Sequence, residues 1–283
     1  MKYIKLLWFD IRNGLIKNPL LFIAPIIIAI IACIDLNNRV AGLNSVNYFG
    51  GEFHASFADF MAYIYGGMDK YIPGPSNNFV FPVRWAILFL SISFIALNYP
   101  FKDIQTIGQH ILIRTKGRTK WWLSKCGWNI LITSVYHGLI LFVALLFCVV
   151  TQSNISGEIN KELLHIVFEM DKTSLIDSGT KIPFYTLFLP ILISVSINLF
   201  QMTLSLFLKP MFSFFATALL LISSAYFTSP YLIGNYAMPV RYNFVITNGI
   251  NVPLGAVISA ILICAFVLIG VIRFHYYDIL NRE

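Results

Sequence analysis

Charged side chains are scarce in this sequence. Only 12% of the 283 residues are Asp, Glu, Lys or Arg, whereas 58% are hydrophobic, and the mean hydropathy is +0.74. A water-soluble globule of this composition would expose apolar surface on a large scale. The sequence therefore predicts a protein whose solvent is a lipid bilayer.

Cysteine is also infrequent, and its positions form no recognisable site. The 4 cysteines lie singly in or beside apolar runs, without a CxxC motif and without histidine at ligand spacing. Zinc sites and disulfide frameworks both require cysteines at more regular spacings. We expect no metal ligands here, and we expect the cysteines to be small apolar packing residues.

Motifs for catalysis and for nucleotide binding are absent. The sequence contains no HExxH, no GxSxG and no GxxxxGK[ST] phosphate loop, and no apolar run contains paired carboxylates. We therefore expect no catalytic residue and no ATP site in this chain. The net charge of +7 is carried by cations beside apolar runs, so membrane phosphates are favoured over nucleic acid as counterions.

Six long apolar segments are the main feature of the sequence. Most of them approach the roughly 20 residues that cross about 30 Å of hydrocarbon. They predict an all-α protein with six transmembrane helices, at residues 20–35, 84–100, 128–151, 184–208, 211–228 and 252–273. Only Lys209 and Pro210 separate the fourth and fifth segments, and we expect a tight hairpin there because one continuous helix would be about twice as long as the membrane is thick.

The distribution of positive charge predicts the orientation. With the N-terminus inside, 13 of the 20 Lys and Arg residues fall on the inner side, and 9 of the 13 acidic residues fall on the outer side. Cations beside a span are retained on the cytoplasmic side. Both termini are therefore predicted to be cytoplasmic.

Three segments are predicted to lie outside, and none of them is a simple turn. Within residues 36–83, an aromatic stretch at 57–65 predicts a short interfacial helix. Residues 153–182 predict a helix over the outer membrane surface. Residues 229–251 predict a re-entrant or interface-hugging connection, whose irregular backbone requires cover by protein or water.

The first 17 residues have the pattern of a helix that lies on the membrane surface. Apolar side chains recur at helical spacing, and cations occupy much of the remaining surface. Asn18 and Pro19 favour a break before the first span. We expect Lys5, Trp8 and Arg12 to anchor this helix in the headgroup region.

The loop 101–125 is predicted to face the cytoplasm. Its residues 104–113 predict a short amphipathic helix along the membrane, followed by a basic turn and by Trp121 and Trp122 as interfacial anchors. A simple positive-inside anchor needs only charge, whereas this loop also has an apolar helical stretch and a turn at Gly117, which favours a docking surface. The residues expected to carry docking are Ile104, Ile107, His110, Ile111, Arg114, Lys116 and Arg118.

A polar stripe interrupts the fourth apolar segment. Helical spacing places four polar residues on one face, namely Ser194, Asn198, Gln201 and Ser205. Because polar groups facing lipid are costly, the stripe must face protein or a water-filled path. Two interpretations remain: hydrogen-bonding glue against a helix or second subunit, or the lining of a substrate path. His137, deep in the third segment, is interpreted as similar glue because no general-base partner is identifiable.

The layout resembles the ABC-2 type permease subunits of bacterial ABC exporters. Residues 111–125 are similar to the stretch that enters the third span in small permeases of Gram-positive bacteria. That family has an amphipathic elbow helix, six spans, a coupling helix between spans two and three and a re-entrant connection between spans five and six. These would be residues 1–17, the six apolar segments, 101–118 and 228–251 here.

The resemblance implies a single permease domain over residues 1–283 in the bacterial cell membrane. ATP and Mg²⁺ would be held by separate ABC ATPase subunits, so the chain itself would be no enzyme. The path would be completed by a second permease subunit, identical or homologous. The long first and second external segments depart from the most compact drug and polysaccharide exporters.

The expected function is export of an amphiphilic substrate, such as a peptide, lipid or drug, out of the cytoplasm or the membrane. A membrane scaffold or sensor coupled to an ATPase, without transport, is the alternative. An intramembrane enzyme ranks third because the catalytic groups are absent. A secondary transporter is disfavoured because no span offers buried carboxylates.

Overall fold

The computed structural model describes residues 2–17, 19–75, 78–115, 117–170 and 188–277. Within this part of the chain every regular element longer than an isolated bridge is helical, and one such isolated β-bridge joins Tyr242 to Ile250. The α-helices are α1 (Lys2–Asp10), α2 (Leu20–Ser45), α3 (Phe57–Tyr65), α4 (Val83–Leu97), α5 (Tyr99–Ile104), α6 (Ile107–Thr115), α7 (Arg118–Val150), α8 (Lys161–Phe168), α9 (Leu189–Leu204), α10 (Pro210–Tyr226) and α11 (Val252–His275). The all-α prediction is confirmed for these residues.

Four helical stretches in the described residues are long and apolar enough to cross a bilayer. They are Leu20–Ser45, Val83–Ile104, Arg118–Val150 and Val252–His275. Two further apolar helices, α9 and α10, are shorter, with 16 and 17 residues. Residues 184–187 of the predicted fourth span lie outside the described residues. The chain thus has the multi-pass helical character that its composition predicts.

Large apolar side chains cover the outer faces of these helices. On α10, Phe212 and Phe215 are each 62% exposed, and α11 exposes Val257 and Ile261 to a similar extent. Such faces are stable only beside lipid or another apolar surface, because their exposure to water is unfavourable. The helices therefore present a hydrocarbon-compatible perimeter around a packed interior.

Proline sets the boundaries of several helices. Pro210 is the first residue of α10, and the preceding Lys209 is extended, with φ −63° and ψ 148°. Proline fits the first turn of a helix, where its missing N–H is not needed, and disfavours helical backbone in the residue before it. The break predicted between the fourth and fifth apolar segments is present at this point.

The elbow segment forms one curved unit instead of a single regular helix. After α1, residues Ile11–Ile16 form a π-helix, and α2 begins at Leu20. Gly14, in the π-helix, is buried against the rings of Tyr99 and Trp128; a Cβ at this position would lie 2.6 Å from each. The bulge therefore brings the backbone into direct contact with α5 and α7.

The short helix α3 is enclosed by protein, which corrects the expectation of an interfacial helix at residues 57–65. Eight of its 9 residues are buried. Its start is fixed by a capping box between Ser56 and Asp59, and Asp59 Oδ1 also accepts a 2.7 Å hydrogen bond from Asn160 N. Because α3 is apolar on all sides, packing among α2, α4 and α7 buries more of it than an interface would.

The segment between α7 and α9 contains α8, which packs against α3. Leu163 and Leu164 of α8 are buried, and Asn160 caps its first turn. Its C-terminal continuation, residues 171–187, falls outside the part of the chain that the structure describes. A helix is therefore present in the segment 153–182, as predicted, and its buried side faces protein.

The connection between α10 and α11 enters the protein. In two 3₁₀ turns, Ile233–Ala237 and Pro239–Arg241, every residue except Pro239 is buried. Irregular backbone at this depth requires internal hydrogen bonds, and Tyr242 Oη supplies one to Tyr236 O at 2.7 Å. Protein therefore covers most of residues 233–242, whereas Tyr231 in the same connection is 93% exposed.

Candidate functional site

A buried ion network joins three helices at the end of the protein that carries α1. It consists of Asp10 at the end of α1, Asp103 in α5 and Lys125 in α7. Lys125 Nζ lies 2.6 Å from Asp103 Oδ2, an ionic contact without hydrogen-bond geometry, and donates a hydrogen bond to Asp10 Oδ1. The side chains are 1–6% exposed. Buried charges of this kind are retained only when they are paired.

Neighbouring hydroxyl groups complete the coordination of Asp10. Tyr99 Oη donates to Asp10 Oδ1 at 2.9 Å, and Ser124 Oγ donates to Asp10 Oδ2 at 2.5 Å. Gly108 lies directly against Asp103, since a Cβ there would stand 2.6 Å from the carboxylate. The ion network therefore fixes α1, the α5–α6 pair and the start of α7 relative to one another.

Sequence reasoning missed this network because it treated Lys125 as a surface cation. Two signals were available. Asp10 is an acid among the apolar positions of the first helix, one turn beyond Leu7, and Lys125 lies beyond the Trp pair, on the apolar side of the loop. Each is a charge at a position where burial is expected, which indicates a partner.

The expected docking residues of loop 101–125 have different environments. Ile104 is buried together with Leu112 and is part of the core. Its burial corrects the prediction that Ile104 is a docking residue. Arg118 donates to His275 O at 2.7 Å and Tyr277 O at 2.8 Å, which caps the end of α11 instead of leaving the guanidinium free.

The remaining docking candidates lie on or near α6. His110 is exposed and Ile111 is half-buried, whereas the next apolar residue, Ile113, is 61% exposed. Lys116 and the side chains of Ile107 and Arg114 fall beyond what the structure describes. The helix thus has a buried attachment through Leu112 and an open face that includes His110 and Ile113.

The two tryptophans predicted as interfacial anchors are buried. Trp121 stacks on Phe274 with ring centroids 4.8 Å apart and an angle of 12°, and Trp122 stacks on the same ring at 5.7 Å. Gly270 leaves space for Trp122, since a Cβ there would lie 2.3 Å from the indole. This corrects the prediction: a small residue and a flat ring on α11 create a pocket that the sequence of the loop alone does not reveal.

The anchors predicted within residues 1–17 are exposed. Lys5 and Trp8 lie in α1 and Arg12 lies in the π-helix that follows it, and Trp8 is 62% exposed. An aromatic ring flanked by cations suits the headgroup region of a bilayer. The membrane-anchor role of these three residues stays a prediction.

The polar stripe of α9 forms hydrogen bonds with two other helices of the same chain. Asn198 Nδ2 donates to Thr133 Oγ1 of α7 at 3.0 Å, while Asn198 Oδ1 accepts from Ser93 Oγ of α4 at 2.8 Å. Gln201 Nε2 donates to Ser93 O at 2.9 Å. Of the two interpretations, this geometry favours interhelical glue for Asn198 and Gln201.

The ends of the stripe are less well bonded. Ser205, which follows α9, donates through Oγ to Met202 O, and the buried Ser194 hydroxyl has no hydrogen-bond partner in the part of the chain that the structure describes. His137 of α7 is fully buried, and its Nδ1 lies 2.8 Å from Tyr65 Oη of α3. Its other nitrogen, Nε2, has no partner among the described residues. No carboxylate is bonded to His137 among the described side chains, which leaves it without the orienting group of a catalytic base.

Arg241 joins the segment between α2 and α4 to the connection between α10 and α11, at the end of the helix bundle opposite the ion network. All five of its N–H donors are used. Nε donates to Met68 O at 3.0 Å, one terminal nitrogen to Ser224 O at 2.8 Å and to the Asn235 side chain, and the other to Ala225 O at 2.8 Å and Asp69 O at 3.1 Å. The acceptors belong to the first external segment, the end of α10 and the 3₁₀ connection.

The Arg241 site lies far along the sequence from the ion network, and it is built from carbonyl groups instead of acids. Burial lowers the pKa of Arg241 to about 10, so the side chain remains charged at neutral pH. The carbonyls of Ser224 and Ala225 are unpaired groups at the negative end of the α10 dipole, which favours a cation there.

Metal binding finds no support in these side chains. Over the described ranges, no group of three or more His, Cys, Asp or Glu residues is close enough to hold a metal ion. The three cysteines at positions 33, 126 and 148 are buried as free thiols, in line with a packing role.

A family profile described as "Protein of unknown function (DUF2705)" matches residues 26–280. No curated protein matches the chain. The matched range begins within α2 and covers α3 to α11, and it therefore includes the ion network except Asp10, the whole polar stripe and the Arg241 site.

Proposed function

The chain belongs to the DUF2705 family, and from this premise we propose that it is the membrane-spanning permease subunit of an ATP-driven exporter of the ABC-2 type. Its cargo would be amphiphilic, such as a peptide, a lipid or a drug. Separate ABC ATPase subunits would bind ATP and Mg²⁺, and a second permease subunit would complete the path. Six spans would then cross a bacterial cell membrane, with both termini in the cytoplasm.

The order and lengths of the helices support this proposal. An amphipathic α1 precedes the first long apolar helix, and two short helices, α5 and α6, stand between α4 and α7. An irregular, protein-covered connection stands between α10 and α11. In this proposal α9 and α10 are the fourth and fifth spans, each about 25 Å long at about 1.5 Å per residue.

The observation that carries the proposal is the firm attachment of α6 to the rest of the protein. Through Asp103 of α5, the α5–α6 pair is held to Lys125 of α7 and, beyond it, to Asp10 of α1. A force applied to the open face of α6 would therefore move α7 and α1 together. Such rigid-body transmission is what a nucleotide-driven partner requires of a membrane subunit.

The first experiment identifies the ATPase. A P-loop ATPase encoded by a neighbouring reading frame is co-expressed with the chain, purified with it and placed in liposomes. We expect copurification and ATP hydrolysis that rises with an amphiphilic substrate. Copurification with hydrolysis but without transport would instead support the scaffold or sensor, and absence of any ATPase from the complex would contradict both functions.

The second experiment tests the docking face. A combined variant carries Ile107→Ser, Ile111→Ser and Arg114→Glu, and a second variant carries Ile113→Asp, whose site is exposed. We expect both to lose substrate-stimulated hydrolysis while membrane insertion is retained. Tyr231→Asp is the matched control, because Tyr231 is 93% exposed and lies in the α10–α11 connection. Unchanged coupling in both α6 variants would overturn this assignment.

A further inference from the structure

The seam between α7 and α9 contains polar atoms that the protein itself does not satisfy. We define the polar seam as Asn129, Thr133 and His137 of α7 together with Ser194, Asn198 and Gln201 of α9. All six side chains are at most 2% exposed. Among the residues that the structure describes, four of their atoms find no hydrogen-bond partner, namely Asn129 Oδ1, His137 Nε2, Ser194 Oγ and Gln201 Oε1.

The register of the two helices shows which unpaired atoms face each other. Asn129 lies opposite Met202, with Nδ2 and Sδ 4.0 Å apart, and Thr133 lies opposite Asn198. A step of one turn toward the C-terminus of α7 therefore corresponds to a step of one turn toward the N-terminus of α9, as in an antiparallel helix pair. A further turn in each direction places His137 opposite Ser194.

The unpaired atoms therefore fall into two groups, one on each side of a satisfied layer. The middle layer is complete, because both ends of the Asn198 amide are bonded, to Thr133 and to Ser93. On one side stand His137 Nε2 and Ser194 Oγ. On the other stand Asn129 Oδ1, on the side chain opposite Met202, and Gln201 Oε1, on the residue before Met202; the side-chain amide nitrogen of Gln201 donates to Ser93 O of α4.

The chemistry of each group identifies its missing partner. The second group consists of two amide oxygens, Asn129 Oδ1 and Gln201 Oε1. Because both are hydrogen-bond acceptors, they cannot bond to one another, and their missing partner must donate two hydrogen bonds. The first group pairs an imidazole nitrogen with a hydroxyl group from the facing helix. A water molecule satisfies both arrangements, since it donates twice and accepts twice, and buried polar atoms in proteins are commonly bridged in this way.

We propose that the polar seam holds two internal water sites. The His137 site lies between His137 Nε2 and Ser194 Oγ, and the Asn129 site lies between Asn129 Oδ1 and Gln201 Oε1. A cation is a poorer occupant, because the seam contains no carboxylate and each group supplies only two ligand atoms. The interior between α7 and α9 is therefore hydrated at two levels separated by a dry layer.

Radiolytic hydroxyl labelling of the intact purified protein in lipid nanodiscs tests the proposal. A brief X-ray pulse converts bound water to hydroxyl radicals, which oxidise the nearest side chains and are read out by mass spectrometry. Met202 reports on the Asn129 site and His137 on the His137 site. Met61 is the reference, because it is also buried, at 2% exposed against 5% for Met202, and lies in α3.

We expect Met202 to be oxidised several-fold faster than Met61. Ser194→Ala should lower the His137 rate several-fold and leave the Met202 rate unchanged. Ser196→Ala is the control on the same helix, because Ser196 is equally buried but lies on another face, and it should change neither rate. A Met202 rate equal to that of Met61, or a His137 rate that Ser194→Ala does not lower, would overturn the corresponding site.

Discussion

Arg241 shows how a single side chain can define the conformation of several segments. Its guanidinium group reaches five oxygen atoms from three parts of the chain, and no carboxylate is among them. The flat fork of Arg suits several carbonyls at once, whereas Lys presents a single ammonium group. The sequence contains no sign of this arrangement, because four of the five acceptors are backbone carbonyls, which any residue supplies, and only Asn235 contributes a side-chain oxygen.

Arg241→Lys is expected to destabilise the protein by about 3 kcal/mol, because three donors cannot replace five and buried carbonyls lose their partners. Denaturant-induced unfolding in detergent measures the effect. Arg39→Lys is the matched control: the Arg39 side chain is 51% exposed, and its replacement should change stability by less than about 0.5 kcal/mol. Equal stability of the two variants would contradict this account.

Gly270→Ala should cost about 1–3 kcal/mol, because the Trp122 ring that a Cβ would meet is held between Gly270 and Phe274 and has nowhere to move. Gly138→Ala, on α7, meets nothing within 4 Å, and it should leave stability unchanged or raise it slightly through helix propensity. Thermal unfolding of the two variants in one detergent separates them. A similar loss for both would indicate a general effect of glycine replacement.

At the scale of the element, helix α7 connects the two ends of the protein. Its first turns carry Lys125 of the ion network, and its middle carries the α7 side of the polar seam. Because a single helix holds both features, displacement of the ion network also displaces the helix that lines the hydrated seam. The ion network and the polar seam are therefore both attached to one rigid helix.

Lys125→Met is expected to cost about 3–5 kcal/mol, because it leaves Asp10 and Asp103 buried without a cation. Lys120→Met, at an exposed position of the same helix, should be nearly neutral. Adding Asp10→Asn and Asp103→Asn to Lys125→Met should restore much of the loss, since all three charges are then removed. Failure of the triple variant to recover stability would show that packing, not charge, dominates at this position.

The cap of α3 predicts a pH dependence. Burial raises the pKa of Asp59 above its usual value of 3.8, despite hydrogen bonds from Ser56 and Asn160 that oppose the shift. A carboxyl group with a raised pKa in the folded state binds its proton more tightly there than in the unfolded chain. Its contribution to stability therefore increases as the pH falls toward 4 from above.

Asp59→Asn removes this titration and retains an acceptor oxygen for the cap. Unfolding free energies of the wild type and Asp59→Asn are compared between pH 7 and pH 4. The wild type should gain stability relative to the variant as the pH falls. A relative loss over the same range would reverse the sign and show that hydrogen bonding, not burial, controls the group.

The sequence predicts helices better than it predicts their surroundings. Apolar runs and prolines located the long helices and the break at Lys209, because length and local backbone chemistry decide these features. The burial of α3 and of Trp121 and Trp122 could not be predicted in the same way. It depends on which residues approach from distant segments, such as Gly270 and Phe274, and periodicity within a segment carries no information about them.

The same limit applies to the candidate site. The helical spacing of the polar residues predicts that they share one face of α9 and that this face meets polar groups. Ser93 and Thr133 are such groups. Ile104 and Arg118 were assigned to docking from local amphipathicity, whereas tertiary contacts bury one and engage the other. Surface residues are recognised from sequence only when no other element covers them.

For the whole molecule, the number of crossings is the decisive question. Lys209 lies between α9 and α10, and these helices have 16 and 17 residues. If both cross the bilayer, Lys209 lies on the cytoplasmic side. If neither crosses, Lys209 lies on the same side as residue Gly51.

Cysteine labelling in intact cells distinguishes these arrangements. Single cysteines replace Lys209, Gly51 or Lys120 in a Cys264→Ala background, because Cys264 is the exposed cysteine among those described. With six crossings, a membrane-impermeant maleimide should label the Gly51→Cys variant in intact cells and the other two only after permeabilisation. Labelling of Lys209→Cys in intact cells would contradict six crossings.

The Arg241 site also determines when the protein can finish folding. Its backbone partners Met68 and Asp69 are 173 and 172 residues away along the chain. During synthesis, the segment between α2 and α4 leaves the ribosome long before the arginine that completes its hydrogen bonds. That segment must therefore wait, unfinished, while α4, α7, α9 and α10 are synthesised, and a chain truncated before residue 241 could not close it.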